Sequence, residues 1–257
     1  MPNILDKIIA NKRREVDAMC ELFGEEVNVT TQRDTISLSR ALLDSPTGII
    51  AEFKRRSPSK GEIHPLALVN EIVPAYEEAG AAACSVLTDT VYFGGALPDL
   101  VNARSVSNLP LLRKDFVISR RQIAEARACG ADAVLLIAAA LSAGEVEEFT
   151  RYAHSLDLEV LFEIHNAREL DKYTPEVDMV GVNNRDLTTF VTDPMLSEFV
   201  AHELPADVVK VAESGLTSIS EVERLREAGF SGFLIGETFM KHDNPGEALR
   251  KFLEATL

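Results

Sequence analysis

The chain has no tryptophan and only three cysteines, Cys20, Cys84 and Cys129, widely spaced and without a CxxC pair. That spacing argues against a disulfide framework or a thiolate metal site, and Cys84 and Cys129, in apolar or helical context, are expected to be small core residues. Long hydrophobic runs are missing too: the apolar stretches are far too short to cross a bilayer. The first residues, MPNILDKIIANKRREV, hold no uninterrupted apolar stretch, so no signal peptide is expected and the chain reads as soluble and cytoplasmic, with no membrane partner. Positive charge is scarce. With 26 Lys and Arg against 41 Asp and Glu the net charge is −15, which disfavours a polyanion-binding surface and hence nucleic acid. No GxGxxG follows a strand, the five histidines (His64, His154, His165, His202, His242) show neither HxxxH nor HExxH spacing, and no GxSxG is present. A dinucleotide fold, a metal site and a serine triad are therefore not expected. Asp115 and Asp186 each lie beside Lys or Arg and are expected to fix those side chains rather than hold a divalent ion.

What is present is an alternation. From about residue 48, short apolar or β-branched runs exchange with longer segments of helical period, the pattern of repeated βα units. Eight strands are expected: GIIAEFK (48–54), AACSVLTD (82–89), LPLLRKD (109–115), ADAVLLIA (131–138), LEVLFEI (158–164), DMVGVNN (178–184), DVVKVAES (207–214) and SGFLIGE (231–237). Gly80, Gly130 and Gly229 each end a helical segment just before a strand, while Ser142 with Glu145 and Ser218 with Glu221 have the spacing of capping boxes. Helices and strands are thus expected to alternate strictly. Runs such as AVLLIA and VVKVA are apolar on both faces, as parallel strands covered by helices must be. A chain of 257 residues could hold two small domains, but eight uninterrupted strands favour one closed barrel. The expected fold is an α/β (β/α)8 TIM barrel, residues 48–257. Residues 1–47 are expected to add N-terminal helices packed on it: one amphipathic through Ile4, Leu5, Ile8, Ile9 and Val16, a shorter one around Leu38 to Leu43. The eighth helix is expected from Pro245 to Leu257, with no second domain.

In such a barrel the chemistry lies at the C-terminal ends of the strands. The two-residue period puts Glu52 and Lys54 on one face of the first strand while Phe53 points to the helices; Leu112 and Lys114 share a face of the third, and Leu161 and Glu163 a face of the fifth. Asn183, Asn184 and Arg185 end the sixth strand, and Glu213, Ser214 and Gly215 the seventh. Any one of these could be an ordinary solvated loop residue. Together, two lysines, three glutamates and an arginine at one mouth would shift one another's ionisation and suit proton transfer. Lys54, Arg55, Arg56 and Lys60 form a basic cluster, unbroken by an acid, in a chain of opposite overall sign. It needs a local reason, and a small phosphorylated anion is one. The SPSKG turn at 57–61 has the Pro and Gly of any turn, but beside that cluster its hydroxyl and backbone groups could meet an anion. Glycines after the seventh and eighth strands (Gly215, Gly236) stand where barrels of this class build phosphate sites.

IIAEFKRRSPSKG, LRKDF at 112–116, LFEIH at 161–165, GVNNRDL at 181–187, VAESG at 211–215 and FLIGE at 233–237 resemble, in order and over nearly the whole chain, indole-3-glycerol-phosphate synthase. The resemblance implies a carboxy-lyase of tryptophan biosynthesis that converts 1-(2-carboxyphenylamino)-1-deoxyribulose 5-phosphate to indole-3-glycerol phosphate, without a cofactor. Carried over by motif, it implies Lys114 as the acid for ring closure, Glu163 with Lys54 for dehydration, and Glu52 to stabilise the cationic intermediate. Asn183 and Arg185 would hold substrate oxygens and Glu213 would support the network. Ser57, Ser214, Gly215 and Gly236 would cradle the phosphate, and Phe93, Phe116 and Leu135 would wall the aromatic ring. Two positions depart from the family pattern. Arg56 stands where a small residue is usual, and Glu237 puts a carboxylate beside the phosphate site, where it is expected to offer its backbone N–H and turn its side chain away. A Schiff-base aldolase using a strand lysine, and a non-catalytic barrel, are the competing readings. Oligomeric state is not legible.

Overall fold

A computed structural model describes residues 3–31, 33–186 and 191–255. Among these, eight parallel strands close into a barrel: β1 (Ile49–Phe53), β2 (Ala83–Leu87), β3 (Leu111–Lys114), β4 (Ala133–Ile137), β5 (Glu159–Ile164), β6 (Met179–Asn183), β7 (Val209–Glu213) and β8 (Gly232–Ile235), with β8 pairing back onto β1. Each expected strand is found, trimmed at its ends where turn residues begin. Alternate residues of each strand face opposite layers. Ile50, Leu112, Leu135, Leu161, Met179, Val211 and Leu234 fill the barrel interior. Their neighbours Ile49, Phe53, Leu111, Val134, Leu136, Phe162 and Phe233 pack under the helices. Both faces are buried, which is why the runs carry no polar alternation.

The outer helices are α3 (Val69–Glu78), α4 (Thr90–Phe93), α5 (Leu97–Val106), α6 (Arg120–Ala128), α7 (Ala143–His154), α8 (Leu196–Val200), α9 (Ile219–Glu227), α10 (Glu237–Met240) and α11 (Pro245–Glu254), following the N-terminal α1 (Ile4–Phe23) and α2 (Leu38–Asp44). The Ser142–Glu145 and Ser218–Glu221 capping boxes open α7 and α9. Gly80, Gly130 and Gly229 turn the chain from helix to strand at φ between 91° and 94°, a region closed to most side chains. The alternation is less strict than expected. β2 and β8 are each followed by two helices, and β5 by a 3₁₀ helix, Ala167–Lys172. Pro175 disfavours helical geometry at Thr174, leaving that connection too little length for a stable α-helix. The last helix stops at Glu254, short of the expected Leu257; residues 256–257, like Leu187 of the GVNNRDL motif, lie outside the described residues.

The two N-terminal helices meet opposite ends of the barrel. Near its bottom, Arg33 pairs with Asp132 at 2.8 Å, and Ser37 and Ser39 hydrogen-bond Glu159 at the starts of β4 and β5. These contacts set α2 beneath the interior, where Leu42 presses on Gly232. α1 lies at the mouth, where Lys12 reaches Asp89 (2.9 Å) and Asp115 (3.0 Å), just beyond the ends of β2 and β3. Leu5, Ile8, Ile9, Leu38 and Leu42 join the same buried cluster as the interior strand residues, while Ile4 stays half-buried at its margin and Val16 is half-buried. Burial stabilises by about 1.5–3 kcal/mol per such side chain as an upper bound, so both helices are integral to the core. Among the described residues no helix is long and apolar enough to cross a membrane.

Candidate active site

The parity that fills the interior also sets the mouth. Glu52 follows Ile50, Lys114 follows Leu112, Glu163 follows Leu161, and Glu213 follows Val211, so each polar side chain tops a column of apolar ones. Together they enter a cavity of about 470 Å³ at the C-terminal ends of the strands. Lys114 Nζ donates to Glu163 Oε2 at 2.9 Å and to Glu213 Oε2. Lys54 Nζ lies 2.5 Å from Glu52 Oε1. Glu52, Glu163 and Glu213 are buried, a placement tolerated because each faces an ammonium. Two glycines make room: a Cβ on Gly181 would collide with Glu213 Oε1, and one on Gly236 with Glu52 Oε1.

Sharing one ammonium drives the two carboxylates apart. Burial alone would push the Lys114 pKa down, but Glu163, Glu213 and Glu52 together raise it above the ordinary lysine range. Burial would raise Glu163, yet Lys114 and His165 outweigh it and hold that carboxyl below the usual range. For Glu213 burial prevails, aided by repulsion from Glu163, and its carboxyl is pushed up. One carboxylate is therefore ionised and its neighbour retains a proton more readily, a division that suits a base and an acid at one site.

Phe93 and Phe116, their ring centroids 6.1 Å apart, wall one side of the cavity with Leu135. The opposite side is polar, formed by Ser57, Ser59, Lys60, Ser214, Gly215, Gly236 and Glu237. Ser214 and Gly215 both adopt left-handed backbone, φ 66° and 76°. For Ser214 this costs about 1–2 kcal/mol, and Asn184 Nδ2 braces the turn by donating to the Ser214 carbonyl at 3.0 Å. Arg185 spans the side, donating to Ser59 Oγ at 3.1 Å and Thr192 Oγ1 at 3.2 Å, while Asn183 Oδ1 accepts from its backbone N–H. The residues to which the family resemblance gave a catalytic or substrate-binding role all line this one cavity.

Two expectations need correction. Glu237 does not turn its side chain away: its carboxylate lies 3.1 Å from Lys60 Nζ and 3.4 Å from Arg185 NH2. Burial alone would raise its pKa, but those two cations hold it below the ordinary range. A carboxylate within reach of two cations is drawn to both. The basic cluster also divides. Arg55 forms a two-pronged pair with Asp99 and Arg56 donates to the carbonyls of Thr90 and Val91, so both brace the loop from behind; only Lys54 and Lys60 line the cavity. Asp115 fixes Arg113, at 3.1 Å, as expected of an acid beside a base.

A protein-family model described as indole-3-glycerol phosphate synthase matches residues 5–252. The chain belongs to the indole-3-glycerol phosphate synthase family. A synthase of that name from Bacteroides thetaiotaomicron is 52% identical over 99% of both chains, and one from Burkholderia multivorans 42% identical over 98% of this chain and 99% of its own. Solved structures extend the likeness of fold alone. An N-acetylmannosamine-6-phosphate 2-epimerase from Clostridium perfringens aligns with TM-score 0.61 at 13% identity, covering 88% of this chain and 99% of that one. A chain of the tryptophan synthase complex from Pyrococcus furiosus aligns with TM-score 0.59 at 16% identity, covering 81% and 96%.

Around the synthase motifs stand residues that motif reading passed over. Lys12 sits on the buried face of α1 at helical spacing from Leu5, Ile8 and Ile9, a signal present in the sequence. His165 and Asn184 lie inside quoted motifs, but nothing in residue type shows that one touches Glu163 and the other Ser214.

Proposed function

We propose that the chain closes the pyrrole ring of indole-3-glycerol phosphate from 1-(2-carboxyphenylamino)-1-deoxyribulose 5-phosphate, as a cytoplasmic enzyme of tryptophan biosynthesis built as one barrel domain with residues 1–47 as its extension. The observation that carries the reading is Lys114 shared between Glu163 and Glu213, with an aromatic wall on one side of the cavity and a polar, cationic side opposite.

The aryl ring lies against Phe93, Phe116 and Leu135, and the phosphate against Ser57, Ser214, Gly215, Gly236 and Lys60. Arg185 holds the carboxylate and Asn183 fixes Arg185. The ring carbon bearing the carboxylate attacks the ribulose carbonyl, and Lys114 gives a proton to the oxygen as the C–C bond forms. An ammonium held cationic by the carboxyl groups around it is a ready donor here, because a developing alkoxide is far more basic than an amine. Glu52 faces the cationic intermediate. Loss of CO2 returns the electron pair of the breaking bond to the ring and restores aromaticity. Dehydration follows: Glu163 takes a proton from the adjacent carbon while the hydroxyl leaves as water with a proton from Lys54. Two protons are given and one is taken, so one is drawn from solvent per turnover.

Incubation with this substrate tests the reading. Indole fluorescence is expected to appear without protein background, since the chain has no Trp. Borohydride added during turnover is expected to trap nothing on Lys54 or Lys114; a covalent adduct there would replace the lyase reading with the aldolase one.

A further inference from the structure

Glu163 is held from two sides, and the mechanism above uses only one of them. Lys114 approaches Oε2 from β3; His165, just past the end of β5, brings Nε2 to 3.2 Å from Oε1. The imidazole is buried behind the cavity lining. Its other nitrogen lies 3.5 Å from Glu169 Oε2 on the Ala167–Lys172 helix. Glu169 is itself fixed, accepting from the His165 backbone N–H at 2.8 Å and from Asn166 Nδ2 at 3.1 Å. Both ring contacts are off the line of an ideal hydrogen bond and stand as ion pairs.

Among the described residues the carboxylates paired with the ring are those of Glu163 and Glu169; the neighbouring Ala138–Ala140 turn carries no charged side chain of its own, and the Lys172 ammonium is held there by the Ala138 carbonyl at 2.7 Å. Burial would lower the His165 pKa, but Glu163 and Glu169 outweigh it and raise it to about 10. Glu213 has no matching second cation: it meets Lys114 through Oε2, while Oε1 lies over Gly181 without a hydrogen-bond partner among the described residues.

We propose that His165 is the positioning residue that makes Glu163, rather than Glu213, the base of the mouth, by setting a fixed imidazolium against the Glu163 oxygen that Lys114 leaves free. The inference rests on the functional reading above. A carboxylate bound by two cations stays ionised and correctly aimed, so it can accept the substrate proton in dehydration while Lys54 supplies the proton that leaves in water. With one cation removed, Glu163 and Glu213 compete for a single proton on more equal terms.

The test is the pH profile of kcat/KM for His165→Gln, which keeps a donor of similar reach and removes the charge. The acid limb is expected to move up by about one pH unit, a roughly tenfold loss of rate below the limb that closes as pH rises, with KM little changed because His165 does not line the cavity. A purely structural histidine would lower the rate evenly at all pH values and leave the limb in place; that result would overturn the proposal. Wild-type protein supplies a second measurement in case the variant does not fold. Among the five histidines, one ring is expected to remain doubly protonated above pH 8 and to titrate near 10, whereas titration of all five between about pH 5.5 and 8 would refute it. Absence of turnover by the wild type would sink the functional reading instead, and the ring titration would still decide whether His165 is an imidazolium.

Discussion

Lys114 is pressed by carboxylates on β5 and β7, and that contact orders much of the mouth around it. The arrangement depends on Glu213 lying where a methyl group at position 181 would be. Gly181→Ala is therefore expected to displace the Glu213 carboxylate and lower kcat roughly 10²-fold with a smaller change in KM; a kcat near wild type would show that Glu213 need not hold its position. With the phosphate placed as proposed, Glu237 would make the opposite kind of contribution, competing with an incoming phosphate for Lys60. Removing its charge with Glu237→Gln is expected to tighten competitive inhibition by inorganic phosphate about two- to fivefold, the scale of partly exposed ion pairs, whereas weaker inhibition would mean that the carboxylate assists binding. At this scale the sequence was informative wherever strand parity decides direction, as for Glu52, Lys114, Glu163 and Glu213. It was uninformative where partners compete. Nothing local in FLIGE shows that Glu237 swings toward two cations, and nothing in LFEIH shows that His165 leans on Glu163.

α1 is joined to the barrel by apolar contacts and by one buried ammonium. Burial would lower the Lys12 pKa, but Asp115 and Asp89 outweigh it and raise it, so Lys12 remains charged while almost wholly buried. Lys12→Met is expected to leave Asp89 buried without its cation, while Asp115 keeps Arg113, and to reduce stability in urea unfolding by about 3–5 kcal/mol. A loss below about 1 kcal/mol would mean that the apolar stripe alone holds the helix. The elements themselves were largely legible, because caps, turn glycines and two-sided apolar runs are local signals that agree with one another. The 3₁₀ connection after β5 and the paired helices after β2 and β8 were less so, since they follow from how much chain is left between fixed strands. The role of α1 was half legible: its stripe predicts a packed helix, but a lysine on that stripe finds its meaning only in the aspartates beyond β2 and β3.

The whole barrel is a scaffold shared at 13–16% identity with an epimerase and a tryptophan synthase chain, so the shape alone leaves the chemistry open. What narrows it is the placement of charge. A molecule of net charge −15 gathers Lys54, Lys60, Lys114 and Arg185 around one cavity, and an aromatic wall faces the polar side. That combination fits a substrate with an aryl ring, a carboxylate and a phosphate, and it matches the family to which the chain belongs. The central claim is that ring closure needs the Lys114 proton. Its most direct test is the initial rate of indole fluorescence for Lys114→Ala, with circular dichroism to verify the fold. The account predicts a folded barrel with turnover reduced at least about 10²-fold, the usual contribution of a positioned acid; turnover within a few-fold of wild type would contradict it.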